Sequence, residues 1–175
     1  MGASVGSNTQ FVTKRLSASV TRPANTTAYA DGDAVSTVTT DAHLEFEGAV
    51  RKQGGRMSGT INSARITSSA NQVTLPAMDL WLFNADITET ADNAAFAPTD
   101  AEALSRIGFI QFPEADWEPL NRGAGANGNA GCEVHGLNIV FQSVAPTIYG
   151  QLVVRNAYTP VSGEVFTVEL MVTQD

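Results

Sequence analysis

Glu164-Val165-Phe166-Thr167-Val168-Glu169-Leu170-Met171-Val172-Thr173 is the stretch that decides the fold. Phe166, Val168, Leu170 and Val172 recur at every second residue, which places them on one face of a β-strand. Tyr158-Thr159-Pro160-Val161-Ser162-Gly163 turns the chain into it, because proline and glycine punctuate turns. Two further strands are predicted upstream, Val134–Val144 and Ile148–Arg155. Working back toward the N-terminus, Ile107–Phe112 reads as a strand closed by Pro113. Met78-Asp79-Leu80-Trp81-Leu82-Phe83 is apolar on both faces and predicts a central, two-sided strand with Trp81 in the core. Residues 56–68 form another β-type run. In Leu44-Glu45-Phe46-Glu47-Gly48-Ala49-Val50, Leu44, Phe46 and Val50 fall in register with both glutamates outward, and Gly54-Gly55 marks a hairpin-like break.

The first strand is less regular. From Phe11, the residues Val12, Leu16, Ala18 and Val20 alternate with polar ones, but Lys14 falls on the apolar side. Pro23 then ends the run or places it at a sheet edge, since proline cannot donate to a ladder. Asp31-Gly32-Asp33 is a turn signal, with Gly32 free to take positive φ. One helix is expected, over Thr99–Arg106: Pro98 precedes it, Thr99 suits the N-cap, and Asp100 and Glu102 favour the positive end of the helix dipole. Asn121–Gly131 is low in complexity and reads as a surface loop. Many strands and no regular helices between them exclude a doubly wound sheet. The expected fold is all-β: an antiparallel two-sheet β-sandwich of jelly-roll-like type with one short helix. Residues 1–10 are expected as a polar N-terminal arm and residues 11–175 as a single domain.

Composition narrows the function classes. Charged residues are 16% of the 175, below the roughly 25% typical of soluble domains, and the net charge of −8 would repel a phosphate backbone. Nucleic acid is therefore not an expected partner. No apolar run approaches the roughly 18 residues of a membrane-spanning helix, and the first residues carry no signal-peptide pattern, so a soluble protein without a membrane partner is expected. Cys132 is the single cysteine, which excludes an intrachain disulfide and suits assembly in a reducing cytoplasm.

Reactive constellations are wanting. His43 and His135 are the two histidines, and His135 lies near Cys132 and Glu133. A metal site needs three or four converging ligands, and on a strand Cys132 would face away from the other two. Asp31-Gly32-Asp33 opens like a calcium loop, but the twelfth position is Ala42 rather than a bidentate glutamate. No Gly-x-Ser-x-Gly elbow occurs. The acids of Glu114-Ala115-Asp116-Trp117-Glu118 sit between Pro113 and Pro119, as solvated loop acids do. Gly123-x-Gly125-x-x-Gly128 follows no apolar strand and opens no helix, which a phosphate loop requires. No enzyme activity, cofactor or metal is expected. Trp117 is the aromatic expected at the surface, as an anchor in a protein interface or, second, a sugar-stacking platform.

Ser19-Val20-Thr21-Arg22-Pro23 followed by Thr27-Ala28-Tyr29 and a Gly-Asp turn resembles the N-terminal segment of a family of tailed-bacteriophage virion proteins. Leu80–Ala85, Asp92-Asn93-Ala94-Ala95-Phe96, Ser105–Ile110 and Ala157–Glu164 look like further pieces of that family, in the same order, across most of residues 11–175. The resemblance implies a capsid decoration (cement) protein on the outer surface of the virion, assembled in the host cytoplasm. Its partners would be the major capsid protein and itself, as a homotrimer. The candidate interface residues are Phe11, Arg22, Pro23, Tyr29 and Trp117. The alternative is a carbohydrate-binding or host-adhesion β module in a head fibre or tail-associated position.

Overall fold

The computed structural model describes residues 11–37, 43–51, 57–120 and 129–175. The expected arm at 1–10, the Gly54-Gly55 break and most of the Asn121–Gly131 loop lie outside the described residues. Among the described residues, ten strands run β1 (Val12–Thr21), β2 (Ala34–Val35), β3 (Leu44–Phe46), β4 (Ser58–Ser68) and β5 (Met78–Phe83), then, after helix α1 (Asp100–Leu104), β6 (Arg106–Phe112), β7 (Glu118–Pro119), β8 (Ala130–Gln142), β9 (Ile148–Val154) and β10 (Val165–Gln174). They form the antiparallel two-sheet sandwich that the alternation predicts, with one short helix.

The first sheet has the order β1-β10-β4-β8-β7 and the second β2-β9-β5-β6, with β3 sharing the β9 edge with β2. β10 lies inside the first sheet because both its neighbours are long: β1 from Val12↔Gln174 to Thr21↔Val165, and β4 on the other side. Its even-numbered residues Phe166, Val168, Leu170 and Val172 are fully buried between the sheets. Leu80, Leu82, Ile110, Phe112, Leu152 and Phe46 meet them from the second sheet. Gly150 is required there by close approach: a Cβ would come within 3.0 Å of Leu80 and 3.1 Å of Phe46.

The departures from strict alternation have local causes. Lys14 sits on the inward row of β1, but β1 is an edge strand, so its ammonium reaches the rim and meets the Gly48 carbonyl at 3.5 Å. An inward-pointing charge on an edge strand discourages pairing with another chain. β8 is one strand with a kink: Ile61 pairs with Ile139 and Ser63 with His135, so three residues face Asn62 alone. Gly136 and Asn138 take positive φ of 70° and 51° to absorb the surplus. α1 begins at the expected Thr99 cap, whose hydroxyl accepts from the Glu102 N–H at 3.3 Å while the Glu102 carboxylate accepts from the Thr99 N–H at 2.6 Å. The Thr88 N–H at 2.5 Å, and after it the Thr99 N–H and the Thr99 hydroxyl at 2.7 Å, donate to that carboxylate and lower its pKa to about 2.

β5 is interior, between β9 and β6. Its two apolar faces serve different ends. Met78, Leu80 and Leu82 enter the inter-sheet core; Trp81 and Phe83 point to the other face, where Phe96 from the segment after β5 packs on both. That segment is anchored by the Ala34 N–H to the Ala94 carbonyl (2.8 Å) and the Phe96 N–H to the Gly32 carbonyl (2.9 Å). Gly32 has φ of +93° in the turn expected at Asp31-Gly32-Asp33.

Candidate functional site

Arg22 and Tyr29, two of the expected interface residues, are each 2% exposed. They belong to a polar network enclosed at one end of the sandwich. Strand β1 stops at Thr21 and Pro23 prevents its continuation, so the Arg22 side chain turns inward. Its guanidinium lies 4.6 Å from the Tyr29 ring centre and 3.3 Å from an Asp92 carboxylate oxygen. Arg22 Nε donates to the Tyr29 hydroxyl, which donates to Asp92 Oδ1 at 2.5 Å; that oxygen also accepts from the Ser36 N–H at 3.0 Å. Burial, then the hydrogen bond to Asp92, pushes the Tyr29 hydroxyl well above the usual tyrosine range.

The second half of the network mirrors the first. Tyr158 stacks on Tyr29, with centroids 6.4 Å apart and planes 9° from parallel, and the two exchange backbone hydrogen bonds of 2.8 and 3.4 Å. The Tyr158 hydroxyl donates to the Glu164 carboxylate at 2.6 and 2.8 Å. Glu164, 1% exposed, also accepts from the Ser68 hydroxyl at 2.5 Å and the Val161 N–H at 3.1 Å. Burial, then the charge of Glu164, raises the Tyr158 hydroxyl as well. The network ties β1, the turn at 29–36, the segment around Asp92 and the turn into β10 to one another. Its hydroxyls are poor nucleophiles and its carboxylates are saturated with donors, so its chemistry is structural.

Trp117 corrects the expectation of a surface aromatic. It is 7% exposed and part of the inter-sheet core, at the C-terminal end of the 3-10 turn at Glu114–Asp116, where the backbone turns extended. Arg22 and Tyr29 are likewise interior to the monomer. Pro23 is partly buried beside them, whereas Phe11 is 65% exposed at the far end of β1. The five residues therefore form no single surface.

Trp81, expected in the core, is the outward aromatic. Half-buried on the face of the second sheet that points away from the core, it stacks on Phe109 (5.8 Å, 25°), takes the edge of Phe96 (5.7 Å, 64°), and has the Arg106 guanidinium 5.2 Å from its ring. Phe109 is 46% exposed. Its pairing with Trp81 across β5 and β6 places the two rings side by side. An apolar outward position on a central strand was the available sequence signal; the composition of β6 gave none.

On the outer face of the first sheet, Arg15, Glu169, Arg65 and Glu133 form a row of alternating charge across β1, β10, β4 and β8, with contacts of 3.0, 3.0 and 3.6 Å, and the His135 ring lies 3.5 Å from Glu133 at its end. Cys132 points the other way, as the strand parity predicts, and burial raises its thiol to about 11. The His43 side chain, 7% exposed, has Asp86 at 3.3 Å and Glu45 at 3.7 Å from Nε2, and Glu89 at 3.9 Å from Nδ1. Carboxylates on opposite sides of the ring cannot converge on one ion. Among the described residues no cluster of histidine, cysteine and acids is placed to hold a metal, and no catalytic constellation is assembled.

What the geometry defines is an all-β sandwich with an enclosed polar end and one aromatic outer face. No family model and no curated protein matches the chain. Among solved structures it is similar to a chain of the cyanophage Pam1 capsid asymmetric unit, at 14% identity over 100% of this chain and 94% of that one, with a TM-score of 0.40. It is similar to a chain of the acidic stable capsid of Helicobacter pylori bacteriophage KHP30, at 8% identity over 94% and 91%, TM-score 0.33. A chain of Triatoma virus matches at 12% identity over 91% and 63%, TM-score 0.27. Likenesses this distant say nothing of what this chain binds.

Proposed function

We propose that this chain is a capsid decoration protein, which binds the outside of a phage head as a homotrimer and bridges neighbouring major capsid subunits. One observation carries the proposal. Three of the segments that resemble the phage virion family, far apart in sequence, supply Arg22 with Tyr29, Asp92, and Tyr158 with Glu164, and these side chains meet in one buried network. The ordered resemblance thus coincides with a shared structural purpose. A net charge of −8 suits the outer surface of a head better than contact with packaged DNA. Residues 1–10 are the proposed bridging arm, and many modest contacts made at once would hold capsomers together through avidity. The test is purification of the full chain. A trimeric mass with binding to expanded but not precursor shells is expected; recovery from tail fractions alone would overturn the proposal.

The carbohydrate-binding or host-adhesion alternative loses Trp117 as its platform. The exposed Phe109 beside Trp81 is what now favours it. A glycan array probed with the wild-type chain and with Trp81→Ala decides it: hits lost in the variant support adhesion, and an array without hits removes it.

A further inference from the structure

The aromatic face of the second sheet has the make-up of a docking site, and its charges say what it takes. Trp81 is held from three sides, by Phe109, Phe96 and Arg106, so engaging it orders little that is not already ordered. Trp and Arg are the residues that dominate protein interfaces. Phe109 is 46% exposed, and Leu104, two residues before Arg106, is 89% exposed. Arg15, Arg22, Arg65 and Arg155 each meet a carboxylate within 3.4 Å. Arg106 meets none among the described residues and lies over an indole instead. A guanidinium stacked on an aromatic ring keeps its N–H edge free for a planar carboxylate. An unmatched cation on an apolar shelf, in a chain of net charge −8, is complementary to a carboxylate flanked by an apolar side chain.

We infer that the shelf of Trp81, Phe109 and Arg106 is the face that docks on the shell, and that its occupant is a capsid-subunit loop presenting an aspartate or glutamate beside an apolar residue. This rests on the decoration role proposed above. The guanidinium of Arg106 takes the carboxylate, and the rings of Trp81 and Phe109 take the apolar neighbour.

The experiment is co-sedimentation of the full chain with shells of its own virion stripped of the protein. Arg106→Gln and Phe109→Ser change exposed side chains and leave the inter-sheet core intact. Each is expected to weaken binding about tenfold or more, the loss typical of an interface anchor. Arg15→Gln, on the other sheet, is expected to bind as wild type does. Benzoylphenylalanine at position 109 should photo-cross-link to a shell-subunit peptide that contains an acidic residue. Wild-type binding with both shelf variants unaffected overturns the inference and leaves the decoration role standing. Cross-linking to a second copy of the chain, or glycan binding lost in both variants, also overturns it. A wild-type chain that binds no shell overturns the decoration role and the docking face together.

Discussion

Two sets of ion pairs in this molecule have similar chemistry and opposite surroundings. At the enclosed end, the side chains of Arg22 and Asp92 are 0% and 7% exposed and every oxygen of the carboxylate has a donor. Across the outer face of the first sheet, Arg15, Arg65 and Glu133 are 63%, 40% and 51% exposed, with Glu169 at 14% between the two arginines. The comparison separates what a charge pair contributes from what its loss costs. Water solvates an orphaned partner on the open row, whereas an orphan at the enclosed end stays desolvated.

The largest effect should follow from Asp92→Ala, which leaves the Arg22 guanidinium buried without its anion. A loss of about 3–5 kcal/mol is expected in denaturant unfolding, and a loss below 1 kcal/mol would show that water enters the enclosed end. Tyr158→Phe removes the hydroxyl that Glu164 accepts, at an expected cost of about 1.5–3 kcal/mol for a hydrogen bond to a charged group. The same variant tests the alkaline limb. Both tyrosine hydroxyls are raised in the folded state, so above the ordinary tyrosine range the unfolded chain gives up protons that the native one keeps. Native binding of more protons means stability falls as pH rises, by about 1.4 kcal/mol per pH unit for each tyrosine above about pH 10. Tyr158→Phe should fall at a shallower slope than wild type; parallel slopes would remove Tyr158 from the account. The smallest effect belongs to Arg65→Gln on the open row, at most about 1 kcal/mol and shrinking in 1 M salt. A larger, salt-insensitive loss there would erase the contrast.

The two tryptophans show where local sequence stops being informative. Trp81 sits among leucines and phenylalanine, which predicts core, yet a strand has two faces and only one of them is the inter-sheet face. Trp117 sits among acids and prolines, which predicts surface, yet at the end of a short 3-10 turn it lies in the core. Arg22 beside Pro23 was legible as the end of an edge strand, because proline's missing N–H acts locally. That the arginine then meets Asp92, 70 residues on, was not. Lys14 was visible as a break in the alternation, and only the placement of β1 at the edge explains it.

By itself, the sequence determined the long strands, the capped helix, the turn at Gly32 and the antiparallel sandwich class, but not the two-residue strands β2 and β7. These follow from side-chain period, proline and glycine geometry, and capping, all of which act over a few residues. The tertiary structure decided sheet order, which face of β5 is covered, the meeting of Tyr29 with Tyr158, and the exposure of Phe109 beside Arg106. Those depend on which distant strands pair, and pairing is set by packing across the whole core rather than by any short stretch of chain.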